Sequence, residues 1–117
     1  MARADRHPAL SLRVILRKGS AFGPGKAELL EHIRDTGSIA AAGRRMKMSY
    51  SRAWGLVEAM NHDFAARLVH SAKGGAERGG AVLTPLGLEV LRRYRRMQAK
   101  SIRAAAAELR ALVGKLR

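Results

Sequence analysis

Ser49, Tyr50, Ser51 and Arg52 follow one another at the head of a helical pattern, and Trp54 stands just beyond them. Hydroxyl groups, a guanidinium fork and the free amides of a helix start all bond well to phosphate oxygens and base edges. Ser38, Arg44, Arg45 and Lys47 lie just upstream, and Lys73 and Arg78 lie in the glycine-rich run 73–80. Together these residues make a candidate interface for double-stranded DNA. Some have a plainer reading beside it. Trp54 can pack under a hairpin or against a neighbouring helix, and Arg44 and Arg45 can complement the dipole of the helix they end. Arg92, Arg93, Arg95 and Arg96 can form a solvated helix face as readily as they can touch DNA.

Other chemistries find no footing. There are 0 cysteines, which excludes disulfides, thiolate metal sites and cysteine nucleophiles. His7, His32, His62 and His70 share no metal-ligand spacing, so no metal and no cofactor is expected. Ser20 to Ala27 falls short of a phosphate loop, because the first glycine is misplaced and no Ser or Thr follows Lys26. Glu28, Glu31 and Asp35 share one helix face and could in principle do acid–base work, but they fit a solvated face better. No enzyme is expected. The charge balance supports the interface instead: 23 Lys and Arg against 9 Asp and Glu give a net charge of +14, which favours a polyanionic partner.

These residues need elements to hold them. The chain has 117 residues, 47% hydrophobic and only 4% aromatic, which fits one domain with an aliphatic core. Residues 1–9 read as a flexible arm. Leu10 to Arg17 reads as a strand and Gly19 to Pro24-Gly25 as a turn-rich loop. A helix is expected from Lys26 to Asp35, stopped by Thr36-Gly37, with Gly37 in the left-handed cap conformation. Ser38 and Ser49 are N-caps for two further helices, Ile39 to about Met46 and Tyr50 to about Asn61, joined by a turn at Lys47-Met48. Ala41 and Ala42 supply small side chains where these helices cross, and Ala53, Val57, Met60 and Phe64 form the inner face of the second. Arg67 to Ser71 and Ala81 to Leu83 read as strands flanking the basic hairpin tip, and Thr84-Pro85 opens the last helix.

That last helix is expected to run unbroken from Pro85 to near Arg117, roughly 45–50 Å at 1.5 Å per residue. Ile102, Ala105, Leu109, Leu112 and Leu116 follow coiled-coil spacing. Tyr94 and Met97 keep a similar spacing upstream, with a slip of phase near Lys100. The stripe can pack onto the protein's own core, but so small a domain cannot cover its whole length, and these residues form a candidate homodimer interface. The expected fold class is mostly α with a small β-wing: a winged helix-turn-helix over 10–84 and a long C-terminal dimerisation helix over 85–117. No apolar run approaches the ~20 residues needed to span a bilayer. The polar N-terminus leads into no signal peptide, so a cytoplasmic location without membrane partners is expected.

The run Gly37-Ser38-Ile39-Ala40-Ala41-Ala42-Gly43-Arg44-Arg45-Met46-Lys47-Met48-Ser49-Tyr50-Ser51-Arg52-Ala53-Trp54 resembles the DNA-binding domain of the ModE family of molybdenum-dependent transcriptional regulators. Glu58-Ala59-Met60-Asn61 and the wing segment from Gly74 to Thr84 continue the likeness. The Gly-Ser-Ile pattern with its alanines is similar, more distantly, to the helix-turn-helix of LysR-type regulators. The likeness spans about residues 10–98. It implies a dimeric winged-helix regulator of molybdenum-related genes acting on a palindromic operator. The family's oxyanion-binding domains have no counterpart here, so its molybdate-binding residues map onto no position, and the chain resembles a stand-alone form. Three further readings compete: an architectural DNA-binding protein, a module that heterodimerises with a full-length relative, and an anionic-membrane binder. The last is weakest, since the final helix lacks aromatic anchors.

Overall fold

The computed structural model of the chain describes residues 9–71 and 80–117. The N-terminal arm up to residue 8 and the wing residues Lys73 and Arg78 lie outside them. The order of elements is β1 (Val14–Arg17), β2 (Ser20–Phe22), α1 (Pro24–Thr36), α2 (Ile39–Arg45), α3 (Tyr50–Asp63), β3 (Val69–Ser71), β4 (Ala81–Leu83), α4 (Pro85–Ala104) and α5 (Ala106–Val113). The architecture is mostly helical with two small antiparallel hairpins, β1–β2 and β3–β4.

The first hairpin corrects the loop expected at Gly19 to Gly25. Ser20–Phe22 pairs with β1 in the register Val14 to Phe22 and Ile15 to Ala21, with an irregularity before Arg17. A three-residue strand between glycines carries too little alternation to stand out from a turn. The strand expected from Leu10 begins only at Val14, opposite Phe22, because beyond Phe22 the paired strand turns into α1 at Gly23 and Pro24; the Leu12 carbonyl accepts the Tyr94 hydroxyl at 2.6 Å instead. Pro24 belongs to α1 and not to the loop; it sits in the first turn, where its missing N–H costs nothing.

The caps fall where the residue types place them. Gly37 closes α1 at φ 72°, and the Ser38 hydroxyl accepts the Ala41 amide at 3.0 Å. Ser49 accepts the Arg52 amide at 3.1 Å, and Thr84 accepts the Gly87 amide at 2.9 Å. Each such cap is worth about 1 kcal/mol. α3 continues past Asn61 to Asp63. β3 starts at Val69: the Leu68 carbonyl still accepts the Thr84 amide, but the Leu68 N–H goes to the Asn61 side chain instead of returning to Thr84.

The core lies where α1, α2 and α3 meet α4 and the second hairpin. Leu29, Leu30, Ile33, Ile39, Val57, Met60, Leu68 and Val69 are buried there, with Phe22 edge-on to both Phe64 and Tyr94. Tyr94 is 1% exposed. It therefore belongs to the protomer's own core and not to a surface for a partner: its hydroxyl needs the Leu12 carbonyl and its ring needs Phe22.

The last helix is broken. Ala105 adopts φ −96° and ψ 5°, which separates α4 from α5, although Ala105 N–H still bonds to Ser101 and Leu109 N–H to Ala105. Nothing in the surrounding alanine run explains the break. α5 stops at Val113, so Leu116 lies beyond the helix and outside its periodicity. Among the described residues no helix is long and apolar enough to cross a membrane.

Candidate nucleic-acid interface

α2 and α3 form a helix-turn-helix, and its tightness comes from one residue. Gly43 is buried where α2 crosses α3, and a Cβ added there would stand 3.0 Å from the Ala53 Cβ and 3.6 Å from Met48. Ala42 is buried as expected, while Ala41 is only partly covered. Gly43, more than the alanine pair, permits the close crossing. The turn is made by Lys47 in a left-handed conformation, φ 57°. Its amide bonds to the Arg44 carbonyl at 3.0 Å, and the Met48 amide returns to Gly43 at 3.0 Å. Met46 and Met48 pack against the core from either side of the turn.

This geometry presents the head of α3 to solvent. Ser49, Tyr50, Ser51 and Arg52 are all exposed, Tyr50 by 60%. The Ser49 hydroxyl accepts a backbone amide and keeps its own proton to donate. Trp54 is half-buried, and its ring meets Tyr50 edge-on at 6.1 Å between centroids. Its indole Nε1 is shielded from solvent and has no hydrogen-bond partner among the described residues. With Glu58, Arg67, His70 and Ser71 it lines a pocket of about 420 Å³ between α3 and β3. Trp54 thus lies beside the wing strand and borders this pocket.

Ser38 is more structural than its place in the candidate set implied. Its hydroxyl caps α2, its carbonyl accepts the Thr36 hydroxyl at 3.0 Å, and its backbone bridges to Gly80. Together with the bond from Ala81 N–H to the Gly37 carbonyl at 2.8 Å, that bridge fixes the base of the wing to the start of α2. Arg44 and Arg45 are exposed in the last turn of α2. The Arg34 guanidinium bonded to Asp35 holds that carboxyl below its ordinary range, and Arg45 adds to the effect by charge alone.

Two positioning features escaped sequence reasoning. The Asn61 side chain accepts the amides of Leu68 and Val69 at 2.8 and 3.1 Å and donates to the Val69 carbonyl at 3.3 Å. It pins the first wing strand, β3, to α3. Asn61 stands at the end of the family-like run, but only the fold shows what its amide reaches. Arg95, placed in a basic face, grips Glu31 through two bonds of 2.9 and 2.7 Å, tying α4 to α1. Arg93 pairs with Glu89 on its own helix, and that bond holds the Glu89 carboxyl below its ordinary range. Among the described residues no cluster of His, Asp or Glu could hold a metal ion.

A capped, exposed helix head, a tight preceding helix and a wing anchored to both define a winged helix-turn-helix of the DNA-binding class. Residues 25–88, more than half the chain, match the family described as bacterial regulatory helix-turn-helix protein, lysR family, and the chain belongs to it. It is also similar to curated proteins of the molybdenum group. It is 44% identical over 86 residues to the molybdenum-pterin-binding protein MopB of Rhodobacter capsulatus, across 74% of this chain and 32% of that one. It is 38% identical over 71 residues to the DNA-binding transcriptional dual regulator ModE of Escherichia coli K12, across 61% and 27%. It is 34% identical over 80 residues to the molybdenum transport protein ModE of Azotobacter vinelandii, across 68% and 30%. The chain therefore spans about a third of the length of these relatives or less. Among solved structures, one titled as a complex of CbnR_DBD with DNA shares the fold, with a TM-score of 0.60 at 20% identity over 75% of this chain and 95% of that one.

Proposed function

We propose that this protein is a sequence-specific transcriptional regulator that binds a palindromic operator as a homodimer, at genes connected with molybdenum. The observation that carries the reading is the head of α3: Ser49, Tyr50, Ser51 and Arg52 stand exposed on a capped helix beside an anchored wing. Such a helix enters the major groove by its N-terminal residues. In this reading Arg44, Arg45 and Lys47 meet the flanking backbone, and Lys73 and Arg78 extend the contact from the wing segment. Residues 10–84 act as the DNA-binding domain and 85–117 as the dimerisation segment. The dimer reading draws support from Met97, Ile102 and Leu112, exposed along α4 and α5 with Leu109 between them. The molybdenum connection draws support from the names of the relatives. The chain acts in the cytoplasm, where its DNA is.

The deciding experiment is fluorescence anisotropy on a palindromic molybdenum-regulator-type operator and its scrambled control, at two salt concentrations, with and without molybdate. Tighter binding to the operator supports the reading. Equal binding to both duplexes with a steep salt dependence turns the assignment to an architectural protein. Recovery of a monomer that pairs only with a full-length relative replaces the homodimer by a heterodimer.

A further inference from the structure

An α-helix about 10–12 Å across fills a major groove about 12 Å wide, so a helix seated there has a phosphate backbone on each flank. In this fold the two flanks of α3 differ. Residues two apart on a helix point about 200° apart, so Trp54 and Arg52 mark opposite sides. The Trp54 side adjoins the wing strand through Arg67, His70 and Ser71. The Arg52 side faces a different surface, which the expected interface leaves out.

That surface is a notch of about 490 Å³ between the first hairpin, the start of α1 and the helix-turn-helix. Its floor includes Met46, Met48 and Leu56, its charged lining is Arg13, Lys26 and Arg52, and no acidic side chain lines it. The cations arrive from three separate elements. Arg13 comes from the segment leading into β1, and its stem lies by Gly23, where an added Cβ would stand 3.7 Å from the Arg13 Cγ. Lys26 comes from the first turn of α1 and donates to the Ala21 carbonyl at 2.7 Å. An ammonium has three protons, so that bond orients Lys26 and leaves donors over. The exposed Arg13 and Arg52 side chains have no acidic partner among the described residues. Three like charges around one notch repel one another unless an anion joins them.

We infer that this notch holds a DNA backbone phosphate on the flank of α3 opposite the wing, with Arg13 and Lys26 as contacts additional to Arg52. The inference rests on the proposed DNA-binding function. It also assigns a role to the β1–β2 hairpin, which otherwise only extends the core: it carries Arg13 to the groove edge and offers the Ala21 carbonyl that aims Lys26.

The test measures binding to the operator duplex, and to a random duplex, across a salt series. Compared are the wild type, Arg13→Ala, the double variant Arg13→Ala/Lys26→Gln, and Lys115→Ala as an equal loss of charge at the far C-terminal end. Removing one phosphate neutralisation makes the slope of log affinity against log salt shallower by about 0.9. The expected result is a slope shallower by about that amount in the double variant and partly so in Arg13→Ala, on both duplexes, with Lys115→Ala unchanged. If Arg13→Ala and the double variant match Lys115→Ala, the notch does not bind phosphate. Arg13 is exposed, so its single variant keeps the test valid even if removing the Lys26 bond loosens the hairpin. A wild type that binds neither duplex overturns the functional reading, and this inference with it.

Discussion

Two glycines on helices show how differently the same residue acts. Gly87, in the first turn of α4, has no room for a side chain: a Cβ there would sit 2.2 Å from the Leu68 carbonyl oxygen, which is rigid backbone. Gly87→Ala is expected to cost about 2–3 kcal/mol by overpacking, read as a lower midpoint of chemical denaturation. Gly55, in mid-α3, has nothing within 4 Å of the same construction and is exposed. Gly55→Ala should therefore stabilise the fold by about 0.5–1 kcal/mol. If Gly55 serves close approach to a groove, the same variant loses DNA affinity while its melting temperature rises. A rise in both would show that Gly55 has no such role. Tyr94 adds a test by pH. Burial pushes its phenol above the ordinary value near 10. The folded state thus holds the proton more tightly than the unfolded chain does. The resulting stabilisation is full below about pH 10 and is lost as pH rises through the folded value. Tyr94→Phe, which loses the bond to Leu12, should be about 1 kcal/mol less stable at neutral pH. Its stability should then fall less steeply than the wild type's above pH 10. Parallel curves through that range would contradict the assignment.

At the scale of elements, what holds the helix-turn-helix open to DNA is split between local and distant causes. Ser49 is a local one. Ser49→Ala removes the side-chain cap on α3 and should cost about 1 kcal/mol. Because the uncapped turn carries Tyr50, Ser51 and Arg52, DNA affinity should drop with it, and Ser49→Asp should restore stability while repelling phosphate. Calorimetry and anisotropy on the same two variants separate the effects. The Glu31–Arg95 clamp is a distant cause. Both side chains are mostly buried, at 14% and 23% exposed, and the pair is bidentate. Glu31→Ala should cost about 1–2 kcal/mol, whereas Glu89→Gln, which disturbs only an exposed pair within α4, should leave the denaturation midpoint in place. That contrast also marks what the sequence could disclose. Ser38, Ser49, Thr84 and Gly37 were legible as caps because a cap is decided within three or four residues. The inner stripe of α3 was legible because its period is helical. The Arg95 partner lies 64 residues away and the Asn61 partners 7 and 8 away, across a change of element, and no spacing rule connects them. The β2 strand was hidden by brevity. Tyr94 was misplaced because a helix with apolar residues on one side looks the same whether its own core or a second copy covers them.

The described residues span 57 × 29 × 23 Å, and α4 with α5 carries the length away from the core. No residue of α5 is buried. Leu112 is 66% exposed, and Ile102 and Met97 are open on the segment before it. An apolar helix face in water is marginal on its own, so the proposed dimer also bears on whether this end of the chain stays helical. Association that stabilises the fold makes the melting temperature rise with protein concentration by mass action. The wild type should show that rise, together with a dimer mass in sedimentation equilibrium. Ile102→Glu/Leu112→Glu should remove both, since two carboxylates cannot be buried unpaired in a helix interface. The core of Leu29, Ile33, Val57 and Leu91 lies apart from these positions, so the double variant should keep a cooperative melt at the value the wild type approaches on dilution. It should also bind a half-site duplex as well as the wild type does while losing the extra affinity for the full palindrome, because two linked heads bind with the benefit of effective concentration. A double variant that stays dimeric would move the interface elsewhere, with the exposed Leu88 on the opposite stretch of α4 as the next position to alter.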